Sequence, residues 1–180
     1  LTGWPMDYLV DVLGPYNGMP KKPQICFPHR IAPEKHLNIF KDLAARMPEY
    51  QWVVCQEQPL SKEQYHTILG ESQIVFSANL QETYGISCIE GLICGAFPMV
   101  PDRLSYSEMY EREFRYPSEW TDSWDSYIAN RHKIESKIRT IMELFATNGG
   151  YMNRLISQQL ANMDRFIRAT PLFESLLRTN

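Results

Sequence analysis

The chain has 180 residues, 44% of them hydrophobic and 12% aromatic, with a formal charge of −3. This suits one well-packed domain and excludes two large domains, a disordered chain, a collagen-like or coiled-coil repeat and a generic polyanion-binding surface. No run approaches the roughly 20 apolar residues of a membrane span, residues 1–5 carry no signal-peptide pattern, and a start without Met reads as an excised piece.

In chain order, residues 1–23 are broken by Pro5, Gly14-Pro15, Asn17-Gly18 and Pro20, and read as a linker or entry segment. A strand is expected over 24–28 and a helix over 34–47, where Leu37, Phe40, Leu43, Ala44 and Met47 recur at helical spacing. A strand follows over 51–55, a helix over 61–69 opened by Ser61, and a strand over 73–78. Next come an apolar helix over 86–94 stopped by Gly95 and a strand over 97–100 containing Pro98. A short helix over 105–111 and a weak strand over 114–116 complete the alternation. Thereafter the pattern is helical only, over 123–146, 151–168 and 172–177. The organisation expected is an α/β Rossmann-like core over 24–122, a parallel sheet with helices on both faces, followed by helices over 123–180 packed on the same domain. Ligands of such sheets bind beyond the carboxyl ends of the strands.

The loop after the first strand carries His29, Arg30, Glu34 and Lys35. Two cations beside a helix N-terminus are poorly placed unless an anion joins them, and Arg plus Lys suits a phosphate. A solvated pair partly neutralised by Glu34 is the alternative. The helix over 86–94 is apolar on nearly every side, and Glu90 is its only charge. A buried carboxylate needs a partner, either the hydroxyls of a ribose or an Arg from elsewhere in the chain. Gly85, just before that helix, lets a phosphate approach the amides of Gly85 and Ile86, and Glu82 lies one step further out, where a sugar would sit. Cys26, Cys55, Cys88 and Cys94 lie in apolar runs without CxxC spacing and are expected to be buried free thiols in a reducing compartment. His66 and His132 read as surface residues, Trp120 and Trp124 as packing anchors, and Asp102-Arg103 as a surface ion pair.

The paired glutamates in Glu82-Thr83-Tyr84-Gly85-Ile86-Ser87-Cys88-Ile89-Glu90 resemble the signature of retaining glycosyltransferases of the family-four type, which have the GT-B fold. Arg30 and Lys35 are similar to that family's diphosphate-binding Arg and Lys, and Cys94-Gly95-Ala96-Phe97-Pro98-Met99-Val100 to its entry into the next strand. The resemblance covers about residues 23–112. His36 stands where the family usually has Gly, Thr83-Tyr84 where it has Pro-Phe, and Gly91 where it has Ala. The stretches 28–30 and 101–110 are similar to a subgroup that mannosylates queuosine in tRNA.

The resemblance implies the C-terminal, donor-binding half of a two-domain enzyme, inactive alone, with the acceptor-binding half missing. It implies glycosyl transfer with retention from a nucleoside diphosphate sugar, UDP- or GDP-linked, to an acceptor hydroxyl on a glycan, a lipid-linked sugar or a modified nucleic-acid base. Arg30, Lys35 and Glu82 would be the catalytic set. Gly85, Ile86, Glu90, Thr83, Tyr84, His29 and Gln56 would hold the donor. The sequence has no Asp-x-Asp and no metal-ligand cluster, so no metal or other cofactor is expected. The expected setting is cytoplasmic, with membrane association through the missing half. A nucleotide-sugar epimerase-like enzyme and a non-catalytic sugar-nucleotide-binding module are the competing readings.

Overall fold

The structure, a computed structural model, describes residues 5–169. Strands β1 (Lys22–Phe27), β2 (Gln51–Val54), β3 (Ser72–Phe76), β4 (Phe97–Pro101) and β5 (Arg115–Tyr116) form one sheet in the order β2-β1-β3-β4-β5. Every pairing is parallel, with Cys26 opposite Val53 on one side and Val75 on the other. In the central strands the last four residues of β1, the last three of β3 and all of β4 are buried, as expected when helices cover both faces. Pro98 is tolerated in β4 because β5 pairs only with Val100 and Pro101, so the start of β4 behaves as an edge.

Between these strands run α2 (Leu37–Arg46), α3 (Lys62–Glu71), α4 (Ile86–Ile93) and the short α5 (Tyr106–Met109). Ser61 caps α3 in a capping box with Gln64: the Gln64 amide donates to Ser61 Oγ at 3.2 Å and the Ser61 amide to Gln64 Oε1 at 2.8 Å. The helix expected from Glu34 is split. Pro33–Lys35 form a separate 3₁₀ turn, and His36, at φ 54°, breaks it from α2. The break turns Lys35 away from the face of α2.

Two long helices, α6 (Trp124–Thr147) and α7 (Gly149–Ile167), pack on the same core. Gln159 of α7 accepts from the Glu111 amide at 2.7 Å and donates to the Met109 carbonyl at 2.8 Å. The helix expected over 172–177 lies outside the described residues. The first segment is not a plain linker: Asp7–Leu13 form α1, with Leu9 and Leu13 buried and the Met6 amide bonded to the Ile167 carbonyl at 2.7 Å. Its spacing i, i+4 was masked by the surrounding Pro and Gly. Lys21 likewise has a tertiary task, donating to the carbonyls of Gly70 at 2.7 Å and Cys94 at 2.8 Å at the ends of α3 and α4. Burial pushes its pKa down to about 8, with the nearby thiols Cys94 and Cys26 opposing.

All four cysteines are free and buried. Gly91 explains a departure noted in the sequence. A Cβ there would overlap Val75 Cγ2 and stand 3.2 Å from Val75 Cβ. Val75 is β-branched in a buried strand and has little freedom to turn away. Gly91→Ala is expected to destabilise by about 2 kcal/mol through overpacking, and Val75→Ala in the same chain to recover most of it. Urea melts of the four-member cycle check this, and strict additivity of the two changes contradicts it.

Candidate functional site

In the strand order, β1 and β3 are neighbours whose helices depart in opposite directions along the sheet, α2 toward β2 and α4 toward β4. Such a reversal opens a crevice beyond the carboxyl ends of the strands. The loops after β1 and β3 meet there, and the Leu80 amide bonds the Glu34 carbonyl at 2.8 Å. Every charged residue singled out in these two loops therefore arrives at one place.

Lys35 is only 7% exposed. Its Nζ donates to Glu82 Oε2 at 3.0 Å and to the Gln81 carbonyl at 2.7 Å. An ammonium has three donors, so one remains. Glu82 also accepts from Asn79 Nδ2 at 2.9 Å and from the Thr83 amide at 3.1 Å. Burial works to raise the Glu82 pKa, but Lys35 and the Gly85 amide outweigh it and hold the carboxyl below its ordinary range. Arg30 points outward, with 69% of its side chain exposed, and is paired with Glu34, the neutralising arrangement foreseen as the alternative for one cation.

His29 is buried beneath this layer. Its Nε2 lies 3.2 Å from the Phe76 carbonyl, which can only accept, so Nε2 carries the proton and Nδ1 is bare. Ser87 Oγ, 3.0 Å from Nδ1, is then the donor, with Asn79 Nδ2 at 3.5 Å beside it. Burial, then the charge of Lys35, push the His29 pKa down to about 4 against the opposing pull of Glu82. His29 is therefore a neutral acceptor that orients Ser87.

Gly85 caps α4 at φ 71°, a backbone state that favours glycine. Its carbonyl accepts from the Cys88 amide at 2.9 Å and the Ile89 amide at 3.1 Å, so the first turn closes and the α4 N-terminus faces the crevice. Ile86 is 47% exposed at that tip. Tyr84 holds the loop from behind: its hydroxyl donates to the Phe166 carbonyl near the end of α7.

Two concavities share this N-terminus. The larger, about 670 Å³, is lined by Gln56, Lys62, Tyr65 and Glu90 among others. The smaller, about 320 Å³, is lined by His29, Arg30, Lys35, Glu82, Thr83 and Tyr84. Pro28, Ile86 and Ser87 belong to both. Glu90 thus sits on one side of the α4 tip and Glu82 on the other. The partner of Glu90 is not an Arg but Tyr65, whose hydroxyl donates to Oε2 at 2.7 Å. Burial raises the Glu90 pKa, and Tyr65 and His66 oppose that rise.

The residues expected in the site from the loops after β1, β2 and β3 and from α4 are brought together. Asp102 and Arg103 do not pair with each other. Asp102 pairs with Arg115 at 2.6 Å, and Arg103 donates to Thr121 and, at 3.1 Å, to the Ser118 carbonyl. His66 is half-buried, its ring edge-on to Tyr16 at 5.2 Å, whereas His132 is exposed. Trp120 stacks on Tyr116 at 6.1 Å, while Trp124 is 40% exposed. Tyr65, Asn79 and Ser87 escaped the sequence reading. Tyr65 lies on another helix, 25 positions from its partner, and no local spacing signals it. Ser87 sits inside the motif, and only its nearness to His29 distinguishes it.

This arrangement is the Rossmann-like half of a GT-B fold, joined to C-terminal helices. The chain superposes on the Anabaena protein HepE, solved with UDP and glucose, with a TM-score of 0.63 at 12% identity, over 98% of this chain and 54% of that one. It is also similar to TarM (TM-score 0.61, 11% identity, 88% of this chain and 35% of that). The pneumococcal O-GlcNAc transferase GtfA, solved with UDP and GlcNAc, gives a TM-score of 0.60 at 13% identity, over 91% of this chain and 36% of that. No protein-family model matches the chain. Over 57 residues it is 35% identical to the tRNA-queuosine alpha-mannosyltransferase of Drosophila melanogaster, a stretch that is 32% of this chain and 15% of that protein. The chain therefore spans about half the length of HepE and less of the others. No helix among the described residues is long and apolar enough to cross a membrane.

Proposed function

We propose that this chain is the donor-binding half of a retaining glycosyltransferase that uses a nucleoside diphosphate sugar. Fold alone does not assign an activity, so the reading rests on the site. The observation that carries it is the pair of concavities meeting at the α4 N-terminus, with Glu90 in one and Lys35 and Glu82 in the other. A nucleoside fits the larger, its ribose at Glu90 and its base along Gln56 in the loop after β2. The diphosphate lies where both meet, on the backbone amides at Gly85 and Ile86. The sugar lies in the smaller, its hydroxyls on Glu82, with Thr83, Tyr84 and His29 around it.

In the reaction the anomeric carbon–oxygen bond to the diphosphate breaks and a bond to the acceptor oxygen forms on the same face. The acceptor proton passes to the departing diphosphate. Negative charge grows on the leaving group, and the remaining Lys35 donor, Arg30 released from Glu34, and the helix N-terminus stabilise it. Such preorganised charge does the work that a metal does elsewhere, so the proposed reaction is metal-independent. The second half of the cleft belongs to an acceptor domain outside this chain, and the chain alone binds donor but does not turn over. For the acceptor, the likeness to the tRNA-queuosine enzyme favours a modified nucleic-acid base over a glycan or a lipid-linked sugar.

Calorimetric titration with UDP, GDP and ADP tests this. One of the three is expected to bind selectively, and Arg30→Ala and Glu90→Ala each to weaken it about tenfold, the loss of one charged hydrogen bond. No binding of any of the three at millimolar concentration, or binding indifferent to both substitutions, contradicts the reading.

A further inference from the structure

The contact that holds Glu90 comes from α3. Tyr65 Oη donates to Glu90 Oε2 at 2.7 Å, and both side chains line the larger concavity. Among the described residues no hydrogen-bond partner reaches Oε1. The carboxylate is thus fixed through one oxygen and open through the other. A ribose diol offers hydroxyl protons, and only an ionised carboxylate accepts from Tyr65 and from a ribose together without a proton of its own in the way.

We propose that Tyr65 is a positioning residue for the nucleoside: its hydroxyl holds one carboxylate oxygen of Glu90 and turns the other, Oε1, to take a ribose hydroxyl. This rests on the donor-site reading above and adds to it a residue outside the loop motifs. Around Glu90 lie Lys62, Tyr65 and His66 from α3, Cys55 and Glu57 from the loop after β2, and Cys94 just past the end of α4. Burial drives the Glu90 pKa upward, and the Tyr65 hydrogen bond is the larger of the two opposing effects, ahead of His66. Removing that hydroxyl lets the pKa rise further. Affinity that needs the carboxylate is present above this pKa and lost as pH falls through it, so the loss of binding moves to higher pH.

The test measures Kd for UDP and dUDP, GDP and dGDP, and ADP and dADP between pH 5 and 8.5. It uses the wild type, Tyr65→Phe and Glu90→Gln, with thermal melts as the folding check. The wild type should prefer the ribonucleotide about tenfold at pH 8, and Glu90→Gln should abolish that preference at every pH. Tyr65→Phe should keep most of the preference at pH 8.5 and lose it at higher pH than the wild type does, the midpoint moving upward. If Tyr65→Phe does not fold, Tyr65→Met, which also removes the hydroxyl, should show the same upward shift. A variant that weakens ribo- and deoxynucleotides equally, or leaves the midpoint in place, overturns the role of Tyr65 while leaving the donor site standing. A wild type that binds none of the six overturns the donor-site reading, and this inference with it.

Discussion

Lys35→Met is expected to lower stability by about 3 kcal/mol at pH 7, because it removes one partner of a buried ion pair and strands the other. The side chains of Lys35 and Glu82 are only 9% and 16% exposed. Met keeps the length and apolar stem of Lys, so the effect reports the charge rather than a cavity. The pH dependence identifies the stranded group. In the wild type the Glu82 pKa is held below its unfolded value, so its contribution is full above that value and is lost as pH falls through the folded one. Without Lys35, burial is less opposed and the folded pKa of Glu82 rises. The variant is then penalised at neutral pH and relieved as pH falls through the raised value, where folded Glu82 takes up a proton. Urea melts at pH 7 and pH 4.5 should show the gap between the two proteins shrinking toward acid. A gap that is the same at both pH values would assign the loss to packing and contradict this account.

Gly85→Ala is expected to cost about 3 kcal/mol, combining a left-handed backbone with a clash. At φ 71° an alanine is strained before any contact is considered. Its Cβ would then lie 2.6 Å from Tyr106 Cε1. Tyr106 is fully buried and cannot swing away, because its hydroxyl lies 3.2 Å from Ser77 Oγ and accepts from Asn79 Nδ2 at 3.2 Å. Asn tolerates the left-handed state better than Ala but presents the same Cβ. If the clash dominates, Gly85→Asn is as damaging as Gly85→Ala in a thermal melt. Recovery of most of the stability by Asn would show that the backbone angle alone matters. Either substitution should also weaken binding of the sugar-bearing donor, since Asn79 joins Tyr106 to Glu82.

Much of the site could be read from local spacing. Glu82, Gly85, Ile86 and Glu90 fall within one loop and the helix it starts, and Arg30 and Lys35 within another, so chain order alone places each near a helix N-terminus. The carboxyl-end rule for parallel sheets then brings both loops to the same side. Helix and strand types were legible wherever a long periodic run carried them, as in α2, α6 and α7. Shorter features were not. The seven residues of α1 are helical because Leu9 and Leu13 find the core and Met6 bonds Ile167, contacts that span the whole chain. The break at His36 follows no breaker residue; it is imposed where the chain delivers Lys35 to Glu82.

The sequence by itself determined the alternating α/β architecture, the two charged loops and the paired glutamates, because each depends on residues close in the chain. Only the tertiary structure decided how those charges are answered. Glu90 is held by Tyr65 rather than by an Arg, Lys35 is buried against Glu82, and His29 is neutral and turned toward Ser87. Tyr84 is tied to α7, and Gly91 gives its space to Val75. The physical reason is that periodicity and motif spacing report which residues can be buried or charged, whereas the partner of a buried charge is set by which elements the sheet order makes neighbours.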